Sequence, residues 1–280
     1  MSDGATAQRS RHAAVAQAAE RLANATATGV PASPVRDLLG DSDQRIAYDV
    51  QDVLTASRLA AGAKIVGRKI GLTSPAVQQQ LGVHTPDTGI LFDDMAVPNG
   101  ATVPGGRLLQ PKVEAEVAFV LAADLIGFGA GSALDAPITE AERQAAAAAV
   151  DYAIAALEIV DSRVGDWNIL ITDTIADNAS SGLYVLGETT AALADFAPVD
   201  VTMTLTKNGE PASAGNGAAC LGDPLNALAW LARTQARFDA PLRAGELVLS
   251  GALGAMVTVT AGDTVVAELS TLGRVSVTFA

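Results

Sequence analysis

Three acidic side chains carry the strongest chemical signal in this 280-residue chain. Glu114 and Glu116 stand two apart in residues 112–120, an alternating, β-branched stretch that predicts a strand. On a strand, residues i and i+2 share a face, so the two carboxylates stand side by side while Val113, Ala115 and Val117 face the other way. Adjacent carboxylates either take up a proton or hold a cation between them. Mg²⁺ and Mn²⁺ are the natural occupants, because hard cations prefer oxygen ligands. Taken alone, the pair also fits a solvated sheet face. The third acid, Glu158, interrupts the apolar run 155–160, where an unpaired charge would be costly. In residues 67–74, Arg68 and Lys69 interrupt an otherwise apolar strand and point to opposite faces. A buried Lys near paired acids could steer a substrate carboxylate or move a proton.

The segments GRKIGLTS, LGVHTPDTGILFDDM, KVEAEVAFVL, ALEIVDSR, DTIADNASSG and GAACLGDPLNALAWL follow in this order. Together they resemble the 2-keto-4-pentenoate hydratases of the fumarylacetoacetate hydrolase superfamily, which also contains 4-oxalocrotonate decarboxylases. The likeness runs from about Tyr48 to the C-terminus. It implies Glu114, Glu116 and Glu158 as ligands of Mg²⁺ or Mn²⁺, and Lys69, Asp87 and Ser180 as catalytic groups. It further implies substrate contacts at Leu72, Asp177, Asn178, Gly217, Gly251 and Ala252. On their own, Asp87 and Ser180 also read as turn residues, and Gly215 and Gly217 as turn glycines. Residues 250–254 fall where the family carries a glycine-led loop over its active site. This chain has Leu253-Gly254 where many relatives carry a hydroxyl residue, a departure that bears on substrate choice.

The activity so implied is addition of water to 2-hydroxypenta-2,4-dienoate, or a substituted relative, giving 4-hydroxy-2-oxopentanoate in meta-cleavage breakdown of aromatic compounds. The alternative is a 4-oxalocrotonate decarboxylase using the same metal-enolate chemistry. Its second carboxylate would call for a further basic residue, with Arg68, Lys112 and Arg163 as candidates. A C–C hydrolase would need a base to activate water, for which His84 is the candidate. A non-catalytic subunit fits poorly with an intact acid triad. The resemblance also implies a homo-oligomer, a pentamer or decamer, and association with a pathway aldolase or decarboxylase.

These residues must be positioned by a helical N-terminal part, residues 1–62, and a mostly β catalytic domain, residues 63–280. Residues 1–10 are small and polar and are expected to be disordered. Val15, Ala18, Ala19 and Leu22 give residues 11–27 a helical face, ended by Gly29-Val30-Pro31. After a linker at 31–41, a second helix is expected over 43–61 with Ser42 as N-cap and Ile46, Val50, Val53, Leu54 and Ser57 on one face. Ser74-Pro75 opens a short helix over 75–81. Thr85–Gly89 reads as a turn-rich loop before a strand at 90–95. Thr139 and Glu142 form a capping box before an alanine-rich helix, and Asp223-Pro224 starts a helix over 225–238. The C-terminal region is strand-rich. Strands and helices do not alternate regularly, which excludes a doubly wound sheet. The fold class is α+β, and the family resemblance implies a mixed β-sandwich roll.

Composition narrows the partners. The net charge is −13, which argues against nucleic acid and against an anionic membrane surface. No apolar stretch is long enough to span a bilayer and no leader pattern opens the chain, so a cytoplasmic protein is expected. Cys220 is the single cysteine, which rules out an internal disulfide and fits a small buried residue. His12 and His84 are the only histidines, too few for a His-rich zinc site. Charged residues make up 18% of the chain, low enough to suggest oligomerisation.

Overall fold

The computed structural model describes residues 2–128 and 136–280, with side chains from residue 8 onward. Three helices come first: α1 (Ser2–Thr28), α2 (Arg36–Leu39) and α3 (Gln44–Ala60). Val15, Ala18, Ala19 and Leu22 are buried, as the helical spacing predicts. The expected disorder over residues 1–10 is not found. Helix α1 runs back to Ser2, while Met1 lies outside the described residues. Packing of the later turns nucleates the helix, and each added residue then needs only one further hydrogen bond. The short α2 interrupts the expected linker. Asp43, not Ser42, caps α3, its carboxylate accepting from the Arg45 and Ile46 amides. The buried face of α3 is Ile46, Ala47, Tyr48, Val50 and Gln51, while Val53 is exposed.

The strand-rich part follows with β1 (Ile65–Gly71), α4 (Pro75–Leu81), β2 (Asp87–Phe92), β3 (Ala96–Val97), β4 (Thr102–Val103), β5 (Pro111–Leu121), α5 (Glu140–Ala148) and β6 (Val150–Asp161). Then come α6 (Ile171–Ala176), β7 (Ser181–Ala191), β8 (Thr202–Lys207), β9 (Glu210–Asn216) and α7 (Pro224–Arg237). The chain closes with β10 (Leu247–Ala252), β11 (Val257–Thr258), β12 (Thr264–Leu269) and β13 (Gly273–Phe279). Thr139 and Glu142 make the expected capping box, and Asp223 accepts from the Leu225 amide at the start of α7.

Among the described residues, one sheet has the order β2-β1-β10-β5-β6-β7-β3 with β11 beside β5. The other has the order β4-β13-β12-β8-β9. Parallel and antiparallel pairs both occur: β1 runs parallel to β10, and β10 antiparallel to β5. The two sheets share one apolar core, in which Val113, Val117, Leu157 and Val185 join Val265, Val275 and Val277. This is the expected α+β roll. The N-terminal helices belong to a second cluster, where Val15, Leu22, Ile46 and Val50 pack with Val164, Ile169 and Ile175.

Asp87 is placed differently from the sequence reading. It opens strand β2 opposite Gly71 rather than sitting in a turn, and residues 93–95 form a 3₁₀ turn instead of continuing the strand. Pairing with β1 recruits the polar Asp87–Gly89 stretch into the sheet.

Candidate active site

Strand register assembles the acids. Glu114 on β5 lies directly opposite Glu158 on β6, and Glu116 shares the face of Glu114. Each of the three offers an oxygen, and these atoms lie within 4.8 Å of one another. All three side chains are buried, with Glu116 fully sequestered. Gly251 holds Glu116, its amide donating to Oε2 at 2.7 Å. This glycine sits at φ +109, and a Cβ there would come 1.9 Å from Thr73 Oγ1, so its smallness and its backbone conformation are both required.

Lys69 reaches the acids from β1. Its Nζ lies 3.0 Å from Glu158 Oε1, and the side chain is almost wholly buried. Asp87 comes from β2, where Oδ2 accepts from Thr174 Oγ1 of α6 at 2.8 Å. A Cβ on Gly71 would sit 2.2 Å from Asp87 Oδ1 and 3.4 Å from Lys69 Nζ, so glycine there lets the two functional groups converge. Ser180 arrives by an unusual backbone. Asn178, Ala179 and Ser180 take φ of 54, 51 and 53, three successive non-glycine residues in the left-handed region. Such conformations cost energy and collect at functional sites. Asn178 secures the turn, its side chain accepting from the Ile90 amide at 2.8 Å and donating to the Ile90 carbonyl at 2.9 Å. Leu72, at φ 61, adds a fourth left-handed residue.

Lys69, Leu72, Asp87, Glu114, Thr174 and Ser180 line one narrow cavity. Its remaining wall is apolar. Gly251 and Ala252 act from behind it, the first through Glu116 and the second by packing with Leu72 and Met256. Three of the expected substrate contacts are placed elsewhere. Asp177 is spent on Arg163, accepting from its Nε and, at 2.9 Å, from its amide. Asn178 is spent on Ile90, and both residues line a separate cleft bounded by α1 and α3. Gly217 lies against Pro198, where a Cβ would meet the carbonyl oxygen at 1.9 Å, so it is a packing glycine. Gly215 likewise makes room for the Leu253 carbonyl. The left-handed turn explains the first two: it brings Ala179 and Ser180 to the cavity and leaves Asp177 and Asn178 facing the other cleft. Thr174 lies in the polar stretch 172–181, which reads from sequence as lining a site without singling it out, and Trp167 was missed, since a Trp in a loop carries no spacing signal.

The electrostatics are unbalanced. Burial, reinforced by the neighbouring Glu158 charge, pushes Glu114 up to about 8. Burial, with Glu158 and Glu114 beside it, raises Glu116 well above the usual carboxylate range. Burial also raises Asp87, against the opposing pull of Lys69 and Thr174. For Lys69 burial works to lower the pKa, but Glu158, Asp87 and Glu114 together outweigh it and keep the ammonium charged. One ammonium thus faces four acids. Glu114 Oε2, Glu116 Oε1, Glu158 Oε2 and Asp87 Oδ1 are buried without a hydrogen-bond partner. Buried carboxylate oxygens left orphaned in this way are what a hard divalent cation would satisfy, so Glu114, Glu116 and Glu158 fit such an ion.

Residues 64–280 match the family model "Fumarylacetoacetate (FAA) hydrolase C-terminal". The chain belongs to the fumarylacetoacetate hydrolase family. It is 52% identical over 270 residues to the "TodF product hydratase" of Pseudomonas putida, covering 96% of this chain and 97% of that one. It is 49% identical over 263 residues to the 2-keto-4-pentenoate hydratase of Paraburkholderia xenovorans, covering 94% of each. Among solved structures it resembles 4-oxalocrotonate decarboxylase from Pseudomonas putida G7 complexed with magnesium and adipate. That match has a TM-score of 0.86 and 35% identity, and covers 96% of this chain and 98% of the other. Within this family the chain groups in sequence with proteins named as hydratases. No helix among the described residues is long and apolar enough to cross a membrane.

Proposed function

We propose that this protein is a metal-dependent hydro-lyase that adds water to 2-hydroxypenta-2,4-dienoate or a substituted relative, giving a 4-hydroxy-2-oxo acid. The observation that carries the reading is one cavity lined by Lys69, Asp87, Ser180 and Glu114, the last belonging to a buried acid triad with orphaned oxygens whose Glu158 pairs with Lys69. The names of its closely similar relatives support the same chemistry. Glu114, Glu116 and Glu158 would hold Mg²⁺ or Mn²⁺. When bound, the cation supplies Lewis-acid polarisation of the substrate's 2-oxygen.

The reaction balances in two stages. The enol O–H loses its proton and C5 gains one, giving the 2-oxo-3-ene. Water then adds, its oxygen to C4 and a proton to C3. Lys69 is the positive charge available to the substrate's carboxylate, and its acidic neighbours, outweighing burial, keep it protonated. Asp87 Oδ1 is unpartnered while Oδ2 is fixed by Thr174, so one oxygen is oriented and the other is open to receive or return a proton. The Ser180 hydroxyl, buried and unpaired, is placed to hydrogen-bond the substrate or the attacking water. The apolar wall excludes bulk water and strengthens each of these contacts.

The test is a paired assay on metal-free and Mg²⁺- or Mn²⁺-loaded protein. Metal-dependent bleaching of the dienoate's ultraviolet absorbance without CO₂ release is the expected result. CO₂ from 2-oxohex-3-enedioate, with no dienoate loss, would move the protein to the decarboxylase chemistry of its structural neighbour. The reading includes a homo-oligomer working in aromatic breakdown. Light scattering that returns a monomer mass would remove the oligomer.

A further inference from the structure

The cavity is lined by two unlike sets of residues. Lys69, Asp87, Glu114, Thr174 and Ser180 are polar, while Leu72, Val77, Leu81, Val160, Trp167 and Met256 pack into one apolar cluster that forms the other end. We propose that this apolar end is a hydrocarbon-tail pocket, with Trp167, Leu81 and Met256 as the residues that select short uncharged tails and reject carboxylate-ended ones. The inference rests on the functional reading above, which places the 2-oxo acid head at the acids.

The pocket's walls are held in place. Trp167 takes φ 54 after Asp166 at φ 56, two left-handed residues in succession. Its indole Nε1 donates to the Gln110 carbonyl at 3.0 Å, and Gln110 in turn binds the Ser162 and Val164 carbonyls and the Asp166 amide. The Lys112 ammonium rests 4.3 Å from the indole centroid. On the facing side, Gln80 of α4 clamps Met256 through both its amide and its carbonyl, at 3.0 and 3.1 Å. A wall anchored on both sides selects by size, because it cannot yield without losing these bonds.

Charge selection follows from which cations reach the cavity. Lys69 is the one cation among the described residues that line it, and it stands against Glu158. Arg68 turns toward Glu246 at 3.6 Å, and Arg163 is held by Asp177. Lys112 lies against the indole and does not line the cavity. A second carboxylate at the substrate's far end would therefore be buried among Leu, Val, Met and Trp without a partner.

Binding of saturated 2-oxo acids separates this inference from turnover. Calorimetry on Mg²⁺-loaded protein would compare 2-oxopentanoate, 2-oxooctanoate and 2-oxohexanedioate. The expected result is at least tenfold tighter binding of 2-oxopentanoate than of either longer acid. Leu81→Lys should improve 2-oxohexanedioate relative to 2-oxopentanoate at least tenfold, and Trp167→Ala should do the same for 2-oxooctanoate. Met256→Ala serves the size test if Trp167→Ala does not fold. Equal binding of the diacid by the unaltered protein, absence of 2-oxo acid binding, or variants that shift all three ligands by one factor would overturn the proposal. The expected binding order in a protein that turns over no dienoate would sink the hydratase reading and leave the tail pocket standing.

Discussion

Stripped of divalent cations, the protein should lose stability as the pH rises from 6 to 8. Glu114 is pushed from 4.5 to about 8 in the folded chain, chiefly by burial. An acid with a raised folded pKa binds more protons folded than unfolded between those two values, so ionising it across that range costs stability. Each unit is worth about 1.4 kcal/mol, and two units lie between pH 6 and 8, so Glu114 alone sets a ceiling of about 3 kcal/mol. Glu116 acts in the same direction. Asp177, raised to about 6 by burial, contributes mainly below this window. Lys69 stays protonated in both states here and adds no slope. A loss of this size is a large part of the ~5–15 kcal/mol that holds a typical domain together. The assay is urea unfolding in EDTA at pH 6, 7 and 8, repeated with saturating Mg²⁺ and with Glu114→Gln. Mg²⁺ should flatten or reverse the slope, because the ion binds ionised carboxylates and displaces protons. Glu114→Gln should flatten it without metal. Stability in EDTA that is level or rising over this window, or an unchanged slope in the variant, would refute the argument from burial.

Three further outcomes are expected. Glu158→Gln should weaken Mg²⁺ binding at least tenfold by calorimetry, about 1.4 kcal/mol, since it removes a ligand charge beside Lys69. Thr174→Val deletes the hydrogen bond that lowers the Asp87 pKa, so any limb of the pH–rate profile set by Asp87 should move to higher pH while the melting temperature changes little. Asn178→Ala removes two bonds to Ile90 and should cost about 1–3 kcal/mol in denaturant unfolding. It should also lower kcat by more than the stability loss explains, because the turn that presents Ser180 is no longer held.

The acid site was legible because strand periodicity is a strong rule. The i, i+2 spacing put Glu114 and Glu116 on one face, and an acid inside the apolar 155–160 run marked Glu158. Pairing register, which sequence does not print, then set Glu158 opposite Glu114. Lys69 was readable as an inward cation, but its partner was not. Reading failed where backbone handedness decides direction. Asp177, Asn178 and Ser180 lie in one polar stretch, yet three left-handed residues send Ser180 into the cavity and the other two to Arg163 and Ile90. Asp173 was also invisible. Its carboxylate accepts from the Leu170, Val35 and Arg36 amides and pairs with the Arg36 guanidinium, contacts that span 138 residues or fewer. Helix ends shifted by a residue or more for the ordinary reason that capping chemistry, Asp43 over Ser42, is settled by geometry.

That long-range tie at Asp173 has a consequence for what counts as a unit of this protein. Asp173 sits in α6 beside Thr174, and Gln51 of α3 donates to the carbonyls of both Thr88 and Ile175, next to Asp87 and Thr174 in turn. The helices before residue 64 supply no acid or base to the cavity, yet they set the spacing between the two elements that orient Asp87. The point at which the family model begins, residue 64, is therefore not a boundary of cooperativity. Cutting there would leave every candidate catalytic residue in the chain and still release the hinge on which Asp87 is aimed. In hydrogen exchange, the amides of α3 and α6 should open together as one event.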